Sequence, residues 1–146
     1  MSMAYPNLPV KIFGFLPGVT TPGGASHQAL NDIAVMRSLP NMSIIETGDA
    51  TDVENVLEIS KNINGPVYIR IFPKENPTVF CESRKLSEGN DIALLTSGIC
   101  TEESLNVTNQ LREKGITIQH LHITTLKPFG DSLIEDALMK VKYGIS

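Results

Sequence analysis

Apolar positions along this chain follow two rhythms: short unbroken runs, and longer stretches in which they recur three or four residues apart. Residues 10–16 (VKIFGFL) form a near-continuous apolar run, the pattern of a strand buried on both faces. Residues 17–26 carry Pro22, Gly23 and Gly24 and predict a loop. From 28 to 39 the apolar residues Leu30, Ile33, Ala34, Met36 and Leu39 fit a helix packing one face on a sheet, and Pro40 ends it. Residues 43–46 (SIIE) predict a second strand. Thr51-Asp52-Val53-Glu54 has the form of a capping box, opening a helix whose buried stripe takes Val53, Val56, Leu57, Ile59 and Ile63. Gly65-Pro66 then leads into a third strand at 67–72 (VYIRIF).

The periodicity lapses from Pro73, and Pro73, Pro77 and several charges mark the stretch, 74–90, as an interdomain linker. It restarts with a strand at 91–96 (DIALLT), a helix at 101–114, a strand at 116–123 and a last helix at 131–141. Apolar strands joined by helical crossovers imply right-handed βαβ units and a parallel sheet. The predicted fold class is therefore α/β: two partial three-layer α/β/α units with mainly parallel sheets, at 1–73 and 91–146. Three strands with two helices, then two strands with two helices, leave sheet edges and faces uncovered.

Composition narrows the function. With 41% apolar and 19% charged residues in 146, the chain is globular. A net charge of −4 with interspersed signs argues against a nucleic-acid partner. No run of about 18 apolar residues predicts a membrane span, and MSMAYPNLPV lacks the apolar core of a secretion signal. Cys81 and Cys100 stand outside any CxxC and read as reduced thiols of a cytoplasmic protein. Cys100 opens a predicted helix, with nothing nearby in sequence to serve as its base.

The candidate chemistry centres on the loop TPGGASH, which delivers His27 to the mouth of the first helix. Glycines let backbone approach a ligand, a helix N-terminus offers free N–H groups, and a histidine exchanges hydrogen bonds near neutral pH. Arg70 stands at the C-terminal end of a strand, where open α/β sheets bind ligands; its other reading is an ion pair with Glu46 or Asp49. Arg37 is expected to cap the carbonyls ending its own helix. His120 and His122 alternate on one strand, share a face, and read as a packed or surface pair, with no acidic or thiol partner in sight for a metal.

Taken together, GGASHQALNDIAVMRSLPNM, GDATDVENVL and GPVYIRI resemble the second half of the transketolase pyrimidine-binding domain. GNDIALLTSGICTEESLNVTNQLREKGI and LHITTLKPF resemble the opening of the transketolase C-terminal domain. The resemblance runs nearly the whole length, so 1–73 is read as a partial pyrimidine-binding domain and 91–146 as a partial C-terminal domain. It is closer to the C-terminal subunit of split transketolases than to single-chain enzymes. The family implies a thiamine-diphosphate enzyme, with Mg or Ca, that moves a two-carbon ketol unit from a ketose (phosphate) to an aldose (phosphate). His27 matches the family histidine that hydrogen-bonds substrate oxygens beside the cofactor. Arg70 matches the family arginine that holds a sugar phosphate, a task suited to its planar fork. Two positions depart from the single-chain pattern: Gly23 stands where the family has an aspartate, and Phe15 where it has a phosphate-contacting histidine. Both departures either put the sugar-phosphate substrate in question or shift its contacts to other loops.

The family glutamate that activates the cofactor, the aromatic residue stacked on it and the diphosphate-binding domain all precede Met1 in the family layout. The resemblance therefore implies a complementary transketolase N-terminal subunit or domain as partner, in a homo- or hetero-oligomer, with this chain inactive alone. Two other readings stand beside it: a non-catalytic truncated assembly module, and part of a 1-deoxyxylulose-phosphate synthase or a 2-oxo-acid dehydrogenase β-subunit. The Ser-His-Gln loop and the RSLPN helix end favour transketolase over both enzymes.

Overall fold

The computed structural model describes residues 2–72 and 83–146. Its first half builds a sheet from β1 (Lys11–Phe15), β2 (Ser43–Glu46) and β3 (Val67–Ile71), all parallel, with β3 between the other two. The β-branched runs SIIE and VYIRI supply its centre, since branched side chains pack well on a pleated surface. Helix α1 (Asp32–Ser38) lies on one face against Met42, Ile44 and Tyr68. Helix α2 (Val53–Lys61) covers the other face, sealing Ile45, Val56, Val67, Ile69 and Ile71. Each such aliphatic side chain contributes roughly 1.5–3 kcal/mol on burial. This half is the three-layer arrangement expected.

Strand β1 differs from the doubly buried strand that its apolar run suggests. It pairs only with β3 among the described residues. Phe13 and Phe15 fall on the α2 side, but α2 sits over β2 and β3, so the two rings stay 39% and 67% exposed. Helix α1 is also shorter than predicted. Residues 28–31 precede it, and Asn31 at its start makes no side-chain cap. Its end follows expectation: Leu39, ahead of Pro40, has left the helical region.

The second sheet contains β4 (Arg84–Ser87), β5 (Ile92–Thr96), β6 (Ile118–His122) and β8 (Tyr143–Ile145), in the order β4-β6-β5-β8. Strand β4 runs antiparallel to β6, whereas β6 and β8 run parallel to β5. Strand β4 lies inside the stretch read as a linker; its exposed Arg84 and lone apolar Leu86 carry too little alternation to announce an edge strand. Residues 74–82 of that stretch, and Cys81 with them, lie outside the described residues. Strand β8 was likewise too short to anticipate. Helix α4 (Ser132–Leu138) seals Ala93, Leu121 and Ile123 on one face, and α3 (Cys100–Glu113) packs on the other.

The two halves are interlocked. Strand β7 (Thr125–Lys127) belongs by sequence to the second half, yet it joins the first sheet antiparallel to β2. Leu126 on β7 packs against the clusters of both halves. Each predicted partial sheet therefore gains strands, reaching four in both.

Candidate functional site

The C-terminal ends of β2 and β3 bring Glu46 and Arg70 side by side, in direct register. Arg70 Nε donates to Asp32 Oδ2 at 2.9 Å, Nη2 reaches Asp32 Oδ1 at 3.4 Å, and Nη1 donates to Glu46 Oε1. Tyr68 Oη donates to the same Asp32 Oδ2 at 2.8 Å. Arg70 Cζ lies over the Phe72 ring, 5.3 Å from its centre, within cation–π range. The side chains of Arg70, Asp32 and Glu46 are 13%, 10% and 4% exposed, so water screens these pairs little. Burial alone would lift the Asp32 pKa, but the Arg70 and Tyr68 hydrogen bonds and the Arg70 charge outweigh it and hold the carboxyl below its usual range. Burial would lower the Arg70 pKa, and its two carboxylates raise it instead. Burial, then Asp32, raises the Tyr68 phenol.

Beyond this network opens a cavity of about 290 Å³ between the two halves. Glu46, Arg70 and Phe72 line it from the first half, and Ser97, Ile99 and Cys100, at and just before the start of α3, line it from the second. Gly98 stands close to both: a Cβ there would lie 2.9 Å from the Glu46 carboxyl carbon and 2.9 Å from the Phe72 ring, and its φ of +53° suits glycine. The rim comes from residues 17–20 and Leu30, the two feet of the loop that carries His27, closed by Gly18 N–H to Ala29 O at 3.1 Å.

His27 sits in that loop and is exposed. Contrary to the sequence reading, it does not stand at the mouth of α1, which begins five residues later. The glycines position it nonetheless. Gly23 (φ +136°) and Gly24 (φ +76°) take left-handed backbone; His27 N–H donates to Gly24 O at 3.0 Å, and a Cβ on Gly23 would lie 3.3 Å from the imidazole. Nδ1 is 3.0 Å from Ser26 Oγ. Nε2 makes no hydrogen bond among the described residues, which leaves it the outward nitrogen. His27 is not itself a lining residue of the cavity, so its loop, and not a direct contact, relates it to Arg70.

The remaining candidates fall into structural places. Arg70 takes the Glu46 partner that sequence reading set beside the phosphate role, together with Asp32 instead of Asp49. Asp32 was missed because its approach depends on how α1 crosses the sheet. Arg37 does not cap its own helix: Nη1 donates to Leu126 O at 2.8 Å, while Lys127 Nζ donates to the α1-terminal carbonyls of Arg37 and Leu39 at 2.9 and 2.6 Å. His120 and His122 are the packed pair, both fully buried, linked through Thr96 and Thr101. Cys100 is exposed at the first position of α3 and lines the cavity.

Family models now place this architecture. The transketolase pyrimidine-binding domain matches residues 1–88 and the transketolase C-terminal domain matches residues 82–145. The chain belongs to the transketolase family. An uncharacterized transketolase-family protein of Sinorhizobium fredii is 35% identical over 92% of this chain and 41% of its own length. A 6-deoxy-6-sulfo-D-fructose transketolase subunit from a Clostridium species is 30% identical over 96% of this chain and 46% of its own. A solved split-gene transketolase, described as an inactive β4 tetramer, superposes with a TM-score of 0.84 at 33% identity, over 97% of this chain and 49% of that one. This transketolase-family chain thus spans about half the length, or less, of the relatives it matches.

Domains of this family are associated with thiamine diphosphate, whose diphosphate needs a divalent cation and positive surroundings. Among the described residues no group of three or more His, Cys, Asp or Glu is placed to hold a metal ion. The one cation of the cavity floor is outnumbered by two carboxylates. The diphosphate–metal end of the cofactor does not fit these residues. Among the described residues no helix is long and apolar enough to cross a membrane.

Proposed function

We propose that this chain works within a thiamine-diphosphate-dependent assembly that transfers a two-carbon ketol unit from a ketose to an aldose. The observation that carries the reading is the pair of family matches in order along the chain, meeting at a cavity walled by both domains. The chain supplies the pyrimidine-side wall and the His27 loop. A complementary subunit or domain supplies the diphosphate and metal site, in an oligomer, which is the natural source of groups that do not fit here. The boundaries proposed are a pyrimidine-binding part through residue 73, a linker at 74–90 whose β4 joins the second sheet, and a C-terminal part from residue 91. The same reading places the assembly in the cytoplasm, where a thiol such as the free Cys100 stays reduced.

In this reading His27 acts at substrate oxygens. Ser26 engages Nδ1, so the tautomer choice passes to Nε2, which either donates to a substrate oxygen or accepts from a hydroxyl. Proton handling by one placed imidazole contributes about 10²–10⁴-fold to a rate. The test is ketol transfer from hydroxypyruvate by the chain assembled with its complementary thiamine-diphosphate-binding subunit. His27→Ala is expected to lower kcat by about 10²-fold and, because the residue is exposed, to leave thermal unfolding unchanged. Full activity in His27→Ala would remove His27 from the site. Absence of ketol transfer in a stable assembly would favour the non-catalytic assembly module.

A further inference from the structure

Away from the candidate site, the turn between α2 and β3 holds the chain's only asparagine followed by glycine, Asn64-Gly65. An asparagine carboxamide is open to attack by the main-chain nitrogen of the next residue, and a glycine there leaves that nitrogen unshielded. The fold requires glycine at this place: its φ is +109°, and a Cβ would lie 2.3 Å from Asn7 Oδ1. Asn64 is exposed, and Gly65 N–H makes no hydrogen bond among the described residues, so no native bond has to break for it to react. Lys11 adds a charge. Its Nζ donates to Ile63 O at 2.9 Å and to Gly65 O at 3.1 Å, so one ammonium straddles the Asn64–Gly65 peptide bond. A cation held there favours the negative charge that builds on the Gly65 nitrogen as its proton leaves.

We propose that Asn64 is a site of self-modification, deamidated through attack by the Gly65 nitrogen and promoted by Lys11. Solvent base takes the Gly65 N–H proton, the nitrogen bonds to Asn64 Cγ, and the amide group leaves as ammonia with a proton from solvent. Water then opens either carbonyl of the resulting cyclic succinimide, giving aspartate or isoaspartate at position 64. The aspartate brings a carboxylate near Lys11. The isoaspartate inserts a methylene into the main chain just ahead of the bonds that anchor β3, Ser43 N–H to Pro66 O and Val67 N–H to Val10 O, each 2.9 Å. That product therefore loosens the start of the strand that carries Arg70.

The test incubates the full folded chain in mildly alkaline buffer and follows its tryptic peptides by mass spectrometry. Peptide 62–70 carries both Asn62 and Asn64, and its fragments assign any change to one of them. Asn64 is expected to gain the mass difference between a hydroxyl and an amino group, with Asn62 unchanged. Gly65 is buried; if that burial keeps base from its N–H, Asn64 stays intact in the folded chain while the urea-unfolded chain reacts, and the proposal is overturned. Lys11→Gln, which can still donate to the two carbonyls but lacks the charge, should slow the reaction severalfold, and Lys11→Arg should keep the rate. A rate in Lys11→Gln equal to or above that of the wild type overturns the part given to Lys11. The wild-type incubation decides the site itself even if Lys11→Gln fails to fold. The isoaspartate form, separated by chromatography, should unfold at a lower urea midpoint than the unmodified chain, and an unchanged midpoint overturns the loosening of β3.

Discussion

Among single residues, Gly14 shows how closely the ion network is built into the sheet. It sits on β1 opposite Arg70. A Cβ placed there would lie 2.2 Å from Tyr68 Oη, the atom that donates to Asp32. Gly14→Ala therefore pushes the phenol off its carboxylate and leaves a buried hydroxyl poorly partnered. The expected loss is about 1–3 kcal/mol, read as a lower urea midpoint, and wild-type stability in Gly14→Ala would show that Tyr68 has room to retreat. The same network marks the limit of what the sequence makes legible at this scale. Glu46 and Arg70 each end an apolar strand, and two parallel strands side by side put their ends together, so that pairing can be read directly. Asp32 lies 38 residues from Arg70, and nothing local ties the two. Its role follows from the angle at which α1 crosses the sheet, which is a property of packing. The left-handed turn before His27 is legible for the opposite reason, since two adjacent glycines state a local backbone problem and its solution.

At the scale of elements, the strands and helices with strong periodicity emerge near their predicted places, and the errors gather at ends and edges. The capping box read at Thr51 is one such error. A 3-10 turn at Ala50–Asp52 precedes α2, so the cap moves two residues upstream: Asp49 accepts from Thr51 N–H at 2.7 Å and from its hydroxyl at 2.6 Å. Asp49→Ala should cost about 1–2 kcal/mol, the range of a lost cap, in thermal unfolding. Asp49→Asn should recover most of this, since an amide oxygen still accepts. If Thr51→Ala proves the more damaging change, the cap is misassigned. The C-terminus of α1 was misread for a different reason. Arg37 is well placed by sequence to meet its own helix carbonyls, but β7 arrives beside them and brings Lys127. Lys127→Ala should destabilise by about 1 kcal/mol, while Lys127→Arg should retain most of the stability. Equal loss in both variants would mean that packing of the stem, and not the charge, matters there. Strands β4, β7 and β8 escaped prediction together because each is short and placed at a sheet edge, where pairing with an existing neighbour stabilises a weak pattern.

Across the whole molecule, a buried polar chain inside the second half, between β5, β6 and α3, makes stability depend on pH. Thr96 Oγ1 contacts His120 Nε2 at 2.7 Å, Thr101 Oγ1 contacts His122 Nδ1 at 2.8 Å, and the two hydroxyls meet at 3.1 Å. Burial pushes both imidazoles down to about 4, and for His122 the Arg84 charge and His120 add to this while Asp49 opposes it. Between pH 6.5 and 4 the unfolded chain therefore takes up two protons that the folded chain resists. Stability from these residues is complete above pH 6.5 and falls as the solution is acidified through 4, by roughly 3 kcal/mol for each histidine. Asp52 works against them. Burial raises its pKa to about 6, partly offset by the Gly48 N–H; the folded chain keeps that proton while the unfolded chain loses it above 3.8, so acidification stabilises through Asp52. Two imidazoles outweigh one carboxyl, leaving a net uptake of close to one proton on unfolding near pH 5. Urea midpoints should accordingly fall by a steady increment from pH 6 to 4.5, and imidazole C–H signals of His120 and His122 should stay near their neutral positions down to about pH 5, well below the usual imidazole range. In His120→Asn/His122→Asn the balance passes to Asp52, and acidification over the same interval should raise the midpoint. A wild-type midpoint that rises toward pH 4.5 would mean that the histidines take up protons inside the fold, and the buried threonine–histidine chain of the second half could not be the neutral structure described.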